Sequence, residues 1–377
     1  MSAEIFHGYS LLGEWKNSQC GKTAKAKKDG KTYFLKRYQT PVEPIDNGTL
    51  DPTTFKHNKD KFDKFYITRK KINETIRALS GPGGNIIIPS EEFIEGNQYV
   101  EASEFINGAV DDDDLEATLA TLSVDTKKLL LLTAAGALLT IHSKNIVHSD
   151  LKLKNVLLFK TSSNVYVAKL IDFDSSYFAD DKPDEIVGDI IYYSPELGAY
   201  SDAEDDREEL GKKLTTKSDI FSLGLIFHFY LTGTLPEPSS LTDNLRKRKE
   251  KGKVVYCWVA LNAGCKLELS PKITNPECLS LISDMLNRDP GARPSAREVI
   301  KRLQPIDLSK SGVLICAPWP EHKIVFDEAK IDEKGYSKVE QSTLNGVKGY
   351  IFTEKETGTT RFLRVEMVIN QKMAKKV

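Results

Sequence analysis

Apolar residues recur along this chain at two periods, and the change from one to the other divides it. Positions 22–38 alternate about Asp29-Gly30, which predicts a hairpin with Lys36 on its second strand. Residues 41–60, rich in Pro, Asn, Asp and Thr, read as a loop insertion. Apolar residues at 62, 65, 66, 72, 76 and 79 then mark one face of a helix, and Gly81-Pro82-Gly83-Gly84 stops it. Strand signals at 85–88 and 98–102 complete a β-rich unit with one long helix. After a loop at 103–108 helical spacing takes over, at 112–122, 125–143, 219–232, 276–288 and 296–303, with two short strands between the second and third. Strand character returns beyond 305: positions 350–353, a turn at Thr357-Gly358-Thr359 and positions 361–369 predict a hairpin. The expected organisation is α+β, with a β-rich unit over 1–105, a helical one over 106–304 and a β-rich extension over 305–377.

Composition narrows the class. The 377 residues are 40% hydrophobic and 28% charged, values of a soluble globular protein. A formal net charge of −1 gives no global attraction to nucleic acid or to a membrane surface, and neither partner is expected. Glu4, His7, Glu14 and Lys16 interrupt the apolar residues of the N-terminus, unlike a signal peptide, and the apolar run 129–141 is too short to span a bilayer. Cysteines at 20, 257, 265, 278 and 316 show no C-x-x-C spacing, which argues against zinc or a disulfide framework and makes the cytoplasm the expected home.

The densest chemistry lies at 146–159, where Asp150 and Asn155 sit five residues apart between an apolar helix and an apolar strand. Phosphoryl transfer asks for such parts: a cation on the phosphates, oxygen ligands for magnesium and a carboxylate beside the attacking hydroxyl. The run resembles the H-R-D-L-K-x-x-N loop of eukaryotic-type (Hanks-type) protein kinases, with Ser149 in place of Arg. Further motifs join it. Leu-Ile-Asp172-Phe-Asp resembles the D-F-G segment, and Ser194-Pro195-Glu196 the A-P-E motif. Residues 218–224 resemble S-D-x-W-S-x-G, and 289–295 resemble D-P-x-x-R-P-S.

The resemblance covers roughly residues 8–304 and implies a two-lobed kinase-like fold, with ATP and Mg2+ as cofactors and the Ser/Thr hydroxyl of a protein as acceptor. By the same resemblance Asp150 is the catalytic base, Lys152 lies near the γ-phosphate, and Asn155 and Asp172 ligate the metal. Lys36 matches the phosphate-binding lysine, and Glu74, mid-helix, is its expected ion-pair partner. Gly13 and Gly21 remain of the phosphate-covering loop, and the hinge near Ser103 and Phe105 is expected to take adenine on backbone groups. Asp219 should brace the catalytic loop, and Glu196 should form a buried pair with Arg293.

Two competitors share part of this grammar. Cys20-Gly21-Lys22-Thr23 looks like the end of a P-loop, but that motif needs glycine where Lys16 stands. Aminoglycoside and choline kinases also carry H-x-D-x-x-x-x-N and an acidic metal strand, but lack the downstream motifs.

Four departures bear on activity. Lys16 and Ser18 occupy glycine positions of the phosphate loop, with Lys16 or Lys22 able to supply charge instead. Ser149 cannot bind a loop phosphate through charge, so activity is expected not to depend on activation-loop phosphorylation at that residue. Asp174 replaces the D-F-G glycine, either as a tolerated turn residue or as a tuner of the metal. Asp189 stands where Thr is common and could hydrogen-bond Lys152. The loop changes and Asp174 favour an alternative, a pseudokinase scaffold whose protein-partner surface lies on 305–377. Autophosphorylation would have Ser175, Ser176 and Tyr177 as candidate acceptors. The acidic run 111–114 reads as a solvated helix start, 246–253 as exposed helix and loop, His148 as structural, and Trp258 and Trp319 as packing residues.

Overall fold

A computed structural model describes residues 5–18, 21–79, 84–183 and 186–308, together with the backbone of three strands between 336 and 364. Its first part is an antiparallel sheet of β1 (Ile5–Phe6), β2 (Tyr9–Leu11), β3 (Lys16–Ser18), β4 (Gly21–Lys28), β5 (Lys31–Tyr38), β6 (Glu91–Glu95) and β7 (Gln98–Glu104). The strands run in the order β1-β2-β4-β5-β7-β6, with β3 pairing β4 from the side. The predicted hairpin is β4–β5, closed at Asp29 (φ 50°) and Gly30 (φ 77°), the left-handed geometry that an Asp-Gly turn favours. This places Lys36 opposite Thr23 on one side and Glu101 on the other.

Helix α1 (Pro52–Leu79) packs against this sheet and starts ten residues before the apolar face that announces it. Asp51 begins it. Its carboxylate accepts the Thr53 and Thr54 amides at 3.0 Å each, with Pro52 in the first turn, so the stretch expected as loop through residue 60 is half helix. The strand expected at 85–88 is replaced by a single parallel bridge, Ile86 to Leu170. Ile87 donates to the Leu170 carbonyl and Leu170 to that of Asn85, both at 2.8 Å, and so tie the sheet unit to the helical one.

The helical part contains α2 (Leu115–Thr121), α3 (Val124–His142), α4 (Pro195–Asp202), α5 (Arg207–Gly211), α6 (Lys217–Thr232), α7 (Asp243–Glu250), α8 (Cys257–Asn262), α9 (Pro276–Met285) and α10 (Ala296–Leu303). Short strands interrupt it: β8 (Ile146–Val147) pairs β11 (Tyr177–Phe178), β9 (Val156–Lys160) pairs β10 (Tyr166–Leu170), and β12 (Glu237–Ser239) pairs β13 (Lys266–Glu268). Helices α5 and α8 are only five and six residues long and α4 mixes polar with apolar positions, so none of the three stands out in the sequence. Helix α6 is apolar around nearly its whole circumference and is correspondingly buried on all sides, against α3 and α9. Each enclosed Leu or Phe there contributes roughly 1.5–3 kcal/mol of transfer free energy. This core is the floor on which the loops of the site rest.

The expected C-terminal hairpin is β15 (Val347–Glu354) with β16 (Thr360–Arg364), and β14 (Tyr336–Leu344) adds a third antiparallel strand. Residues 365–369 of the expected second strand, and Trp319, lie outside the described residues. Among the described residues no helix is long and apolar enough to cross a membrane.

Candidate active site

The loop between β8 and β9 is fixed from below by Asp219 at the start of α6. Its carboxylate accepts the amides of His148 at 2.8 Å and Ser149 at 3.0 Å, and meets His142 Nε2 at 2.8 Å. These bonds hold Ser149 in the left-handed region (φ 68°), a conformation a serine seldom takes unaided. His148 is fully buried against Phe173, with Nε2 on the Ile171 carbonyl at 3.1 Å, which fits a structural histidine. The Ser149 hydroxyl is enclosed and without a hydrogen-bond partner, and as an uncharged group it offers a loop phosphate no charge.

Asp150 follows with both carboxylate oxygens engaged. Oδ1 accepts the Asp189 amide at 2.8 Å, while Oδ2 accepts Lys152 Nζ at 2.7 Å and Asn155 Nδ2 at 3.0 Å. Asn155 Nδ2 also donates to the Asp150 carbonyl at 2.7 Å, leaving its amide oxygen as the atom able to ligate a cation. Lys152 therefore bonds Asp150 and not the Asp189 side chain, whose carboxylate instead caps Ile191 N–H at 3.0 Å. The Ile171 amide donates to the Asn155 carbonyl at 3.0 Å, which brings Asp172 beside the same loop.

Asp172 takes a left-handed turn (φ 62°) and faces Lys36 Nζ across 2.9 Å. Lys36 also forms an ion pair with Asp174. It does not meet Glu74, which is exposed on the opposite face of α1. The face of α1 that turns inward carries Arg69, Ile72, Asn73 and Ile76. Arg69 Nη2 lies 3.1 Å from Glu101 Oε1 and 3.7 Å from Asp174 Oδ1, and its Nη1 donates to the Phe173 carbonyl. Asn73 donates to Glu101 at 3.2 Å. The Tyr38 hydroxyl lies between Glu101, 3.0 Å away, and Asp174.

Charges in this cluster are set by one another. Burial alone would raise the Asp174 carboxyl, but Lys36 and Arg69 outweigh it and hold the group below the usual carboxylate range. For Asp172, burial and then the Asp174 carboxylate prevail over Lys36, and its carboxyl is raised. Burial would lower the Lys36 ammonium, yet Asp174 and Asp172 reverse the effect and keep it charged. Arg69 was the one charge within the apolar register of α1. A charge at an inward helix position requires a buried partner, and that was the available signal for this network.

Gly21 (φ 152°) pairs with both Ser18 and Tyr38, and a Cβ there would collide with the Arg37 carbonyl. Glycine is thus needed there for close strand packing and for its own backbone angle. Gly13 (φ 152°) has open space around it, in the break between β2 and β3. Ser103 lies within β7 opposite Phe34. Phe105 donates its amide to the Thr32 carbonyl at 2.9 Å, so that donor is not free for adenine, and Lys25 Nζ covers its ring at 4.1 Å. Ser176 and Tyr177 are buried, Ser176 donating to the His148 carbonyl at 3.1 Å, an environment unsuited to phosphate acceptors.

Farther from the loop, Glu196 and Arg293 form the expected buried pair, and Trp258 packs on α4 with its Nε1 donating to the Ile190 carbonyl at 3.0 Å.

A curled antiparallel sheet with one helix, over a helical body that presents a braced Asp-Lys-Asn loop, is the architecture of a protein kinase. Residues 54–303 match the Protein kinase domain family, and the chain belongs to it. It is similar to calcium-dependent protein kinase 4 of Plasmodium berghei (strain Anka), 27% identical over 250 residues, which cover 65% of this chain and 42% of that protein. It is also similar to serine/threonine-protein kinase Nek8 of Danio rerio, 29% identical over 230 residues, 60% of this chain and 29% of that one. A third relative is the probable serine/threonine-protein kinase PBL8 of Arabidopsis thaliana, 28% identical over 224 residues, 56% of this chain and 51% of that one. The chain thus spans from under a third to about half of the length of these relatives.

Proposed function

We propose that the protein is a serine/threonine protein kinase that uses ATP and Mg2+. The observation that carries this reading is the convergence of Lys36, Asp172, Asn155, Asp150 and Lys152 on one site, each anchored by hydrogen bonds. The donor set fits the group it would hold. Asp172 and Asn155 offer hard oxygen ligands of the type magnesium takes, and Lys36 offers a buried cation for phosphates. Bound Mg-ATP supplies the transferable phosphoryl group. The protein's part is to orient and to move one proton: Asp150 receives it from the acceptor hydroxyl, and Lys152, beside its Oδ2, offsets developing negative charge. The serine/threonine preference is supported by Lys152 and by the relatives' own descriptions. The buried free thiols of Cys257, Cys265 and Cys278 suit a reducing cytoplasm.

A pseudokinase scaffold is the second reading, favoured by Lys16 and Ser18 at glycine positions of the phosphate loop. Incubating the whole chain with labelled ATP, magnesium and a basic protein substrate separates the two. Transfer by the wild type that disappears in Asp150→Asn and in Asp172→Asn, with the circular dichroism of both variants unchanged, is the expected result. Label incorporation that persists in Asp150→Asn would refute the assignment, and absence of transfer with retained nucleotide binding would establish the scaffold.

A further inference from the structure

Lys36 needs a fixed anion beside it, because a flexible ammonium at the end of four methylenes has no preferred position of its own. Helix α1 does not provide one. Glu74 is exposed, and the inward face of the helix presents a guanidinium, Arg69, which is 3% exposed. Two buried cations facing each other would repel unless anions lie between them. The anions are Asp174 and Glu101, and they arrange the four charges in alternating order: Lys36, Asp174, Arg69, Glu101. Tyr38, on the same strand as Lys36, joins the two carboxylates through its hydroxyl.

Resting on the kinase reading above, we infer that Asp174 is the positioning residue for Lys36, taking over the part expected of a carboxylate on α1. The consequence concerns how the site is held together. Arg69 bonds the Phe173 carbonyl and Lys36 bonds Asp174, so the helix and the lysine are fastened separately to the same segment, 172–174. Movement of α1 alone leaves Asp174 beside Lys36. Glycine at position 174 would remove that carboxylate and leave the lysine with Asp172, which the metal would claim. Asp174 is therefore neither a tolerated turn residue nor primarily a metal tuner.

The test is titration of the whole chain with a fluorescent, non-hydrolysable ATP analogue and magnesium, with nucleotide-free melting temperature as a check of folding. Losing a charge-assisted partner predicts that Asp174→Asn weakens nucleotide binding by about tenfold or more. Glu74→Ala should bind as the wild type does. The deciding comparison is made in the Lys36→Met background, where adding Asp174→Asn should change affinity no further, because a residue acting through Lys36 has nothing left to act on. An undiminished effect in that background would overturn the inference, as would loss of binding in Glu74→Ala with none in Asp174→Asn. Should the single variant fail to fold, the comparison of Lys36→Met with the charge-balanced pair Lys36→Met/Asp174→Asn still decides it: equal affinities support the inference and a further loss overturns it. A wild type that binds the analogue but transfers no phosphate would defeat only the proposed activity, whereas one that binds no analogue would defeat both.

Discussion

Arg293 grips Glu196 through two parallel bonds, Nη1 to Oε1 and Nη2 to Oε2, each 2.7 Å, with both side chains almost wholly enclosed. The rest of the guanidinium is also satisfied, by the carbonyls of Asn287, Lys217 and Arg288, and Ser218 adds a bond to Glu196 at 2.7 Å. The pair therefore ties the start of α4 to the start of α6 and to the turn before α10. Arg293→Leu leaves a buried carboxylate without its counter-ion, and should lower unfolding free energy by about 3–5 kcal/mol. Urea denaturation read by tryptophan fluorescence measures it; a change within error of zero would mean that Glu196 finds another partner.

Asp219 acts one layer closer to chemistry. It holds two consecutive amides of the loop that carries Asp150, and nothing else described accepts them. Asp219→Ala should release Ser149 from its left-handed turn and let Asp150 drift. Because orientation of the base matters more to transfer than to nucleotide binding, kcat should fall by about 100-fold or more while KM for ATP changes little. Steady-state kinetics with a saturating protein substrate checks the split, and a pure KM effect would contradict the bracing role.

Much of this was readable from the sequence because the motifs specify backbone geometry. The loop at 146–159 needs its Asp219 brace, and an Arg-Pro-Ser turn needs a carboxylate for its arginine; both pairings are present as expected. The helix carboxylate was misplaced for a physical reason. Glu74 has the residue type for the pair, but the side of a helix that faces inward is set by the 3.6-residue period, and that period selects 69, 72, 73 and 76. Arg69 and Asn73 occupy that face as polar residues, and their partners, Glu101, Phe173 and Asp174, lie 28–105 positions away, beyond any local pattern. The early start of α1 was legible in Asp51-Pro52, a cap followed by a first-turn proline, but the polar composition of the following turn hid it. Strand 85–88 failed for another reason: an apolar run can be satisfied by one bridge to a different unit as well as by a ladder.

Gly198 in α4 lies directly beneath the Trp258 indole, so a Cβ at that position would collide with the six-membered ring. Trp258 in turn holds the Ile190 carbonyl, next to the residues that follow Asp189 and its bond to Asp150. Gly198→Ala should cost about 1–3 kcal/mol of stability through overpacking. It should also change the tryptophan emission maximum. Pairing it with Trp258→Phe, which frees space under the ring, should recover part of the loss; a double variant less stable than the sum of the two would show that the indole is not the source of the clash.

His228, in the last turns of α6, is 1% exposed and bonded on both ring nitrogens. Its Nε2 accepts the Ser270 amide at 2.9 Å, which requires that nitrogen to be unprotonated, while Nδ1 donates to the Thr234 carbonyl at 2.7 Å. Burial prevails over that second bond and depresses its pKa below the ordinary 6.5. The sign follows from which state binds the proton. Unfolded chains take it up as pH falls through about 6.5, while the folded chain resists until lower pH, so the stability that His228 lends above that value is lost as the solution is acidified through the folded pKa. Urea midpoints at about pH 7.5 and about pH 5.5 should therefore differ more in the wild type than in His228→Gln, which cannot take up the proton. The variant itself should be less stable by about 1–3 kcal/mol at the higher pH, where the histidine's two bonds are intact. Equal pH dependence in the two proteins would place the acid sensitivity elsewhere.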